Sequence, residues 1–298
     1  MDWTSPQIDD LLKQALIEDQ AAHDVTTRLT IDPSLRATAT ILARQDLIVA
    51  GLGAVPHFFR IFAQTLFDRR PGPQAPFEVA ISPGIADGVR AHDGQVLATI
   101  RHNAQALLSC ERVILNLMQH LSGIATATRC FVDAIQGTGA RVLDTRKTLP
   151  GMRVLEKYAV ACGGGTNHRL DLATGILIKN NHISLGGGVR RAVTSALAGR
   201  TGSLRVQVEV RSREELEEAL GAGAESVLLD NMSPEQVKGC VERIRRETRQ
   251  IPIEASGGIV LDNIRAYAEA GVDFISAGAL THSAPAADIS MRIAADAS

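Results

Sequence analysis

The chain has 298 residues, 45% hydrophobic and 21% charged, with a formal net charge of −2, an ordinary globular composition for one large domain or two of unequal size. Aromatic residues make up only 3%, and with the near-zero charge this excludes a stacking platform or a broad basic surface for nucleic acid. Four scattered cysteines without a Cys-x-x-Cys pair exclude a disulfide or zinc framework, and no apolar run is long enough to span a membrane.

The first residues, Met1-Asp2-Trp3-Thr4-Ser5-Pro6, carry no secretory-signal pattern, so a cytoplasmic location is expected. Helical spacing of apolar residues predicts a helix over 8–18, and the pattern breaks at His23-Asp24-Val25-Thr26-Thr27-Arg28. Residues 37–49 read as strand, turn, strand. Helical spacing returns over 55–67, and Arg69-Arg70-Pro71-Gly72-Pro73 reads as a loop. Short strands are predicted at 77–81, 88–91 and 96–101, the last two joined by a turn at His92-Asp93-Gly94. These elements suggest a small α+β layer domain without chemistry of its own. A long helix follows from Ser109, interrupted at Gly123 and continued to Ile135. Arg112 on it reads as a solvent-facing charge.

From Gly139 the grammar changes to a repeated unit of short apolar strand, polar or glycine turn, and helix. Strands are predicted at 141–144, 175–179, 204–210, 226–230, 251–256 and 273–278, with well-capped helices starting at Ser212 and Ser233-Pro234. Strands alternating with helices imply a parallel sheet with right-handed crossovers. No Gly-x-Gly-x-x-Gly follows the first strand, so the dinucleotide fold lacks its fingerprint. Polar or glycine residues close each strand, as in a β/α barrel that builds its site from strand ends. Six strands are clear, so the barrel is incomplete or one strand is hidden.

The chemistry concentrates between Arg141 and His182, where seven Lys/Arg face three Asp/Glu, a local excess of +4. Such a focus in a near-neutral chain points to an anionic ligand; a solvated basic face is the alternative. Thr145, Arg146, Lys147, His168, Arg169 and Lys179 place cationic and hydroxyl donors at the first strand ends, where arginine forks match carboxylates. His168 is balanced between ligand contact and a structural role, and His182 reads as structural. Glu209 and Asp230 end adjacent strands. They suit Mg²⁺, a ribose diol or general acid/base work, with helix capping as the bland alternative. Ser256, Gly257 and Gly258, with Ala277, Gly278 and Ala279, follow the last two strands and form a candidate phosphate cradle. No zinc-ligand spacing and no Gly-x-Ser-x-Gly motif occur.

The motifs Thr145-Arg146-Lys147-Thr148-x-Pro150-Gly151-x-Arg153, Gly163-Gly164-Gly165-x-x-His168-Arg169, Leu177-Ile178-Lys179-x-Asn181-His182, Leu229-Asp230-Asn231-Met232 and Glu254-Ala255-Ser256-Gly257-Gly258-Ile259 resemble the quinolinate phosphoribosyltransferase family. The resemblance extends back to Glu111-Arg112-x-x-Leu115-Asn116 and His23-Asp24-Val25-Thr26, and so covers nearly the whole chain. Thr174 and Asn180 depart from the residues usual in the family. The resemblance implies an α/β fold: an N-terminal α/β sandwich domain plus an incomplete, about seven-stranded, parallel β/α barrel. We place the sandwich at residues 1–115, joined by the tail 284–298, and the barrel at 116–283.

It also implies an enzyme that joins quinolinate to phosphoribosyl pyrophosphate, giving nicotinate mononucleotide, pyrophosphate and CO₂ in de novo NAD synthesis. A related transferase for another acceptor, or a non-catalytic sugar-phosphate barrel, are the alternatives. Carried over, Arg146, Arg169 and Lys179 hold the two carboxylates of quinolinate, with Lys147 and His168 beside them or facing the pyrophosphate. Glu209 and Asp230 hold ribose hydroxyls and Mg²⁺, directly or through water, and Ser256, Gly257, Gly258, Ala277, Gly278 and Ala279 cradle the 5′-phosphate. Lys147, Glu209 and Asp230 form the catalytic group. The expected assembly is a homodimer or a larger oligomer, with Arg112 reaching the partner's site.

Overall fold

The computed structural model of the chain describes residues 1–66, 76–246 and 250–296. The first amphipathic stretch forms α1 (Pro6–Glu18), which carries proline in its first turn and buries Ile8, Leu12 and Leu16 at the spacing of one helix face. The predicted break is a 3₁₀ turn (Ala21–His23) followed by an additional short helix, α2 (Val25–Thr30). The Asp24 side chain caps it by accepting from the Thr27 N–H at 2.9 Å. β1 (Arg36–Ala43) alternates half-buried and buried residues along its whole length, as a strand with one face on a core must, and β2 (Leu47–Ile48) follows. Next come α3 (Val55–Ile61) and a π turn (Phe62–Leu66). Phe67 and the loop predicted at 69–73 lie outside the described residues.

Three strands then appear: β3 (Glu78–Ile81), β4 (Arg90–Ala91) and β5 (Val96–Asn103). The turn at His92-Asp93-Gly94 is present, but it does not close a hairpin. β4 pairs with β2, while β5 pairs with β1 and β3, so the turn passes the chain from one sheet to another. The long helix α4 (Ala104–Ala134) runs 31 residues unbroken. Gly123 does not interrupt it. A Cβ at that position would lie 2.1 Å from the Pro285 carbonyl oxygen, so the glycine admits a close backbone approach within an intact helix.

The chain divides into two compact units: residues 1–127 with 161–163 and 284–298, and residues 128–160 with 164–283. The divide falls inside α4. The second unit is built from β6 (Arg141–Leu143), α5 (Arg153–Cys162), β7 (Ile176–Ile178), α6 (Asn180–Gly186), α7 (Val189–Gly199), β8 (Val206–Val210), α8 (Arg213–Gly221), β9 (Ser226–Asp230), α9 (Pro234–Arg245), β10 (Ile253–Ser256), α10 (Ile264–Glu269), β11 (Phe274–Ser276) and α11 (Ala279–His282). The last strand, β12 (Ile289–Ala295), belongs to the first unit and pairs antiparallel with β1, completing the sheet β12-β1-β5-β3.

All six predicted barrel strands are present and pair in parallel, in the order β6-β11-β10-β9-β8-β7. The seventh position is one residue wide. Thr166 makes a lone parallel bridge to Leu143, with its N–H donating to Val142 O at 2.8 Å. Among the described residues no pairing joins Thr166 to β7, so the barrel keeps a seam there. Val206, Val208, Val210, Val227, Leu229, Ile253 and Ala255 are buried, as expected for a sheet covered on both faces.

Candidate active site

A cavity of about 530 Å³ opens at the C-terminal ends of the barrel strands. In a parallel barrel the strand-to-helix loops all emerge at that end, so short polar segments far apart in sequence converge there. Of the predicted site residues, Thr145, Arg146, Lys147, His168, Arg169 and Lys179 line the cavity. Glu209, Asp230, Ser256, Gly257, Gly258, Gly278 and Ala279 line it as well, and Gly278 stands directly beside Lys147, whose Cδ a Cβ on the glycine would meet at 3.0 Å.

Two predicted residues fall outside the cavity. Ala277 is 2% exposed and its N–H donates to Leu143 O at 3.1 Å, so sheet pairing consumes the donor it was expected to offer a phosphate. Arg112 is exposed on α4 in the first unit and does not line the cavity.

The cationic side is arranged for an anion. Arg146 and Arg169 have no carboxylate within ion-pair distance among the described residues, and the Arg146 Nε is buried without a partner. Such an orphaned guanidinium donor is costly unless a ligand satisfies it. Arg169 is oriented by donating from Nη1 to Gly175 O at 2.7 Å. Burial, and then the charge of Arg146 beside it, hold Arg169 below the ordinary arginine range. Two guanidiniums brought together this way favour a dianion.

Behind them lies a buried polar layer. Asp144 and Lys157, 0% and 3% exposed, form an ion pair at hydrogen-bond distance. Burial raises Asp144 above the ordinary carboxylate range, although Lys157 and the His168 N–H, donating at 2.8 Å, pull it back. Lys157 also donates to His168 O at 3.0 Å. With its amide oriented to satisfy its neighbours, Asn167 donates to Asp144 Oδ2 at 2.6 Å and to Lys157 O at 2.9 Å. The result is a rigid base under the His168-Arg169 turn. His168 is itself committed. Its Nδ1 accepts from the Arg169 N–H at 2.7 Å, which leaves the ring hydrogen on Nε2, 3.3 Å from Glu254 Oε2. Glu254 is held in turn by Gln207 Nε2 at 2.7 Å and by the Ser276 hydroxyl.

The glycine turns offer unengaged backbone donors. Outside the sheet and helix pairing, the N–H groups of Gly258, Gly278 and Ala279 meet no backbone acceptor among the described residues. Gly257 has φ +94°, and a Cβ on it would lie 2.4 Å from Asn231 Oδ1, so only glycine fits this turn. Sequence reasoning missed Asn231, Glu254, Ser276 and His282, which also line the cavity. His282 carried a usable signal, because one helical turn after Gly278 returns a side chain to the same mouth.

Residues 24–122 match the quinolinate phosphoribosyl transferase N-terminal domain, and residues 124–292 match its C-terminal domain. The chain belongs to the quinolinate phosphoribosyltransferase family. It is 39% identical to the nicotinate-nucleotide pyrophosphorylase [carboxylating] of Mycobacterium leprae, covering 95% of this chain and 96% of that one. Its fold is similar to the crystal structure of NadC from Streptococcus pyogenes, with a TM-score of 0.89 at 37% identity and full coverage of both chains. The nicotinate-nucleotide pyrophosphorylase from Ehrlichia chaffeensis gives a TM-score of 0.85 at 33% identity, covering 96% of this chain and 98% of that one. No described helix of this quinolinate phosphoribosyltransferase family member is long and apolar enough to cross a membrane.

The expected Mg²⁺ between Glu209 and Asp230 meets a crowded position. Arg211 Nη2 lies 3.5 Å from Glu209 Oε1, Arg211 Nε lies 3.2 Å from Asp230 Oδ2, and Lys179 Nζ lies 4.0 Å from Glu209 Oε2. Two carboxylates already face two cations. No group of three or more His, Cys, Asp or Glu that could hold a metal occurs among the described residues. The pair does not by itself make a site for a resident Mg²⁺, which prefers oxygen ligands and keeps its waters.

Proposed function

We propose that this chain transfers the phosphoribosyl group of 5-phosphoribosyl 1-pyrophosphate to quinolinate with loss of CO₂. The products are nicotinate mononucleotide and pyrophosphate, and the step supplies pyridine nucleotide for NAD. The observation that carries the reading is the pairing of Arg146 and Arg169, which have no carboxylate partner among the described residues, in a cavity also lined by the glycine turns at 257–258 and 278. A pyridine dicarboxylate fits the two guanidiniums and a 5′-phosphate the glycine turns.

In this reading Arg146, Arg169 and Lys179 hold the two carboxylates and aim the ring nitrogen at the anomeric carbon. Lys147 faces the departing pyrophosphate, while Glu209 and Asp230 orient the ribose hydroxyls. The nitrogen–carbon bond forms as the carbon–oxygen bond to pyrophosphate breaks, through an oxocarbenium-like state that the carboxylates stabilise. The resulting pyridinium draws in the electron pair released when the C2 carboxylate leaves as CO₂, and C2 then takes a proton. Positioning supplies most of the acceleration, without a covalent enzyme intermediate.

The proposal extends to three further points. Mg²⁺ enters as a companion of the pyrophosphate anion. The chain works as a homodimer in which Arg112 reaches the partner's site, a reading supported by its exposure on α4 outside its own cavity. The setting is the cytoplasm, supported by four free cysteines. The test is purified protein with quinolinate, phosphoribosyl pyrophosphate and Mg²⁺, monitored for nicotinate mononucleotide and CO₂, with nicotinate as the control acceptor. Product from quinolinate alone is expected. Equal use of nicotinate, or wild-type turnover by both Lys147→Ala and Arg169→Ala, would overturn the assignment.

A further inference from the structure

Arg211 follows β8 and folds back across the ends of two strands. It touches Glu209 on β8 through Nη2 at 3.5 Å and Asp230 on β9 through Nε at 3.2 Å. The side chains it joins are 8% and 13% exposed, whereas Arg211 itself is 48% exposed and has room to leave. Lys179 stands 4.0 Å from the remaining Glu209 oxygen, and Asn231 Nδ2 donates to Asp230 Oδ2 at 2.7 Å. The Glu209–Asp230 pair therefore faces two cations, Arg211 and Lys179, and keeps no net negative charge to attract a dication from water. A divalent metal arriving alone must either displace Arg211 or sit beside it, and both are unfavourable at these distances. A metal arriving on a pyrophosphate brings its own compensating charge, and the anion gives Arg211 a second partner.

We propose that Arg211 is the internal counter-cation of Glu209 and Asp230. It closes that pair to free divalent metal and admits metal only together with the pyrophosphate-bearing substrate. Arg211 is thus a positioning residue that sets the order in which metal and donor enter. The inference rests on the reading of Glu209 and Asp230 as the ribose- and cation-facing pair. Its test uses no substrate, so its failure is distinguishable from failure of the proposed activity.

The experiment is Mn²⁺ titration of the full chain, followed by the paramagnetic resonance signal of unbound Mn²⁺. The wild type binds no Mn²⁺ below the millimolar range. Arg211→Met, which keeps an unbranched apolar stem and removes the charge, gains one site per chain at least about tenfold tighter. Arg211→Lys keeps a cation and stays near the wild type, and Asp230→Asn added to Arg211→Met abolishes the gained site. Arg211→Gln serves as the second uncharged variant should Arg211→Met lose its native circular dichroism. Wild-type binding as tight as that of the uncharged variants would overturn the proposal. So would a natively folded uncharged variant that gains no site.

Discussion

Glu254 holds the hydrogen-bearing nitrogen of His168: Oε2 lies 3.3 Å from Nε2, while Nδ1 accepts from the Arg169 N–H at 2.7 Å. Both ring nitrogens are therefore engaged, and His168 serves the site by locking the turn that presents Arg169. Glu254→Gln places an amide where three donors converge. Losing one charge-assisted hydrogen bond of roughly 1.5–3 kcal/mol predicts a loss of about ten- to a hundredfold in kcat/KM for quinolinate, carried mainly by KM. The companion measurement is the ¹⁵N shift pattern of His168, which reports the Nε2–H tautomer in the wild type and a mixture in the variant. Unchanged shifts and unchanged KM would remove Glu254 from this role.

The ion pair of Asp144 with Lys157 is buried under the same turn. Lys157→Met removes the positive partner and leaves a carboxylate in the core. Breaking a buried pair on one side costs about 3–5 kcal/mol, and urea unfolding should show it. Asp144→Asn with Lys157→Met removes the stranded charge and should recover part of that loss. A single variant as stable as the wild type would contradict the geometry.

His102 lies on β5 in the first unit with 0% exposure, and neither ring nitrogen has a partner. The rings of Phe59 and Phe77 stand 5.3 Å from it. Burial, and then the nearby Arg36 charge, push its pKa down from 6.5 to about 4. The folded protein therefore favours neutral His102, while the unfolded chain takes up a proton below its ordinary value. This contribution to stability is complete above pH 6.5 and falls as the pH drops toward 4, by up to roughly 3 kcal/mol. His102→Phe should flatten this part of the stability–pH curve, measured by denaturant unfolding at several pH values. Identical slopes for variant and wild type would contradict it.

If Arg112 completes the partner's site, a mixed dimer of Arg112→Ala and Arg169→Ala chains carries both defects in one site and none in the other. Mixing two inactive preparations after dissociation and reassociation should restore activity toward about a quarter of wild type, the statistical share of intact sites. No recovery despite confirmed subunit exchange would sink the shared-site reading.

Local signals carried much of the architecture. The alternation of β1, the apolar barrel strands, the cap at Ser233 and the cations beside glycines were all legible, because each depends on neighbours a few residues away. So was the gathering of Thr145, Lys179, Asp230 and Gly258 at one cavity, because a parallel barrel sends every strand end to the same face. Local reading failed where the deciding partner is remote in sequence. Gly123 looked like a helix break until Pro285 explained the missing side chain. The turn between β4 and β5 was legible, but not that β2 and β1 claim the two strands separately.

By itself, then, the amino-acid sequence determined the family, the strand–helix order and the cations and glycines of the site, since these are written in period and motif. Only the tertiary structure decided which donors are already spent and which remain for a ligand. Ala277 gives its N–H to Leu143, His168 uses both ring nitrogens, and Arg211 lies between Glu209 and Asp230. The physical reason is that hydrogen-bond and charge satisfaction is settled between neighbouring strands, whose order is a property of the whole sheet and not of any one segment.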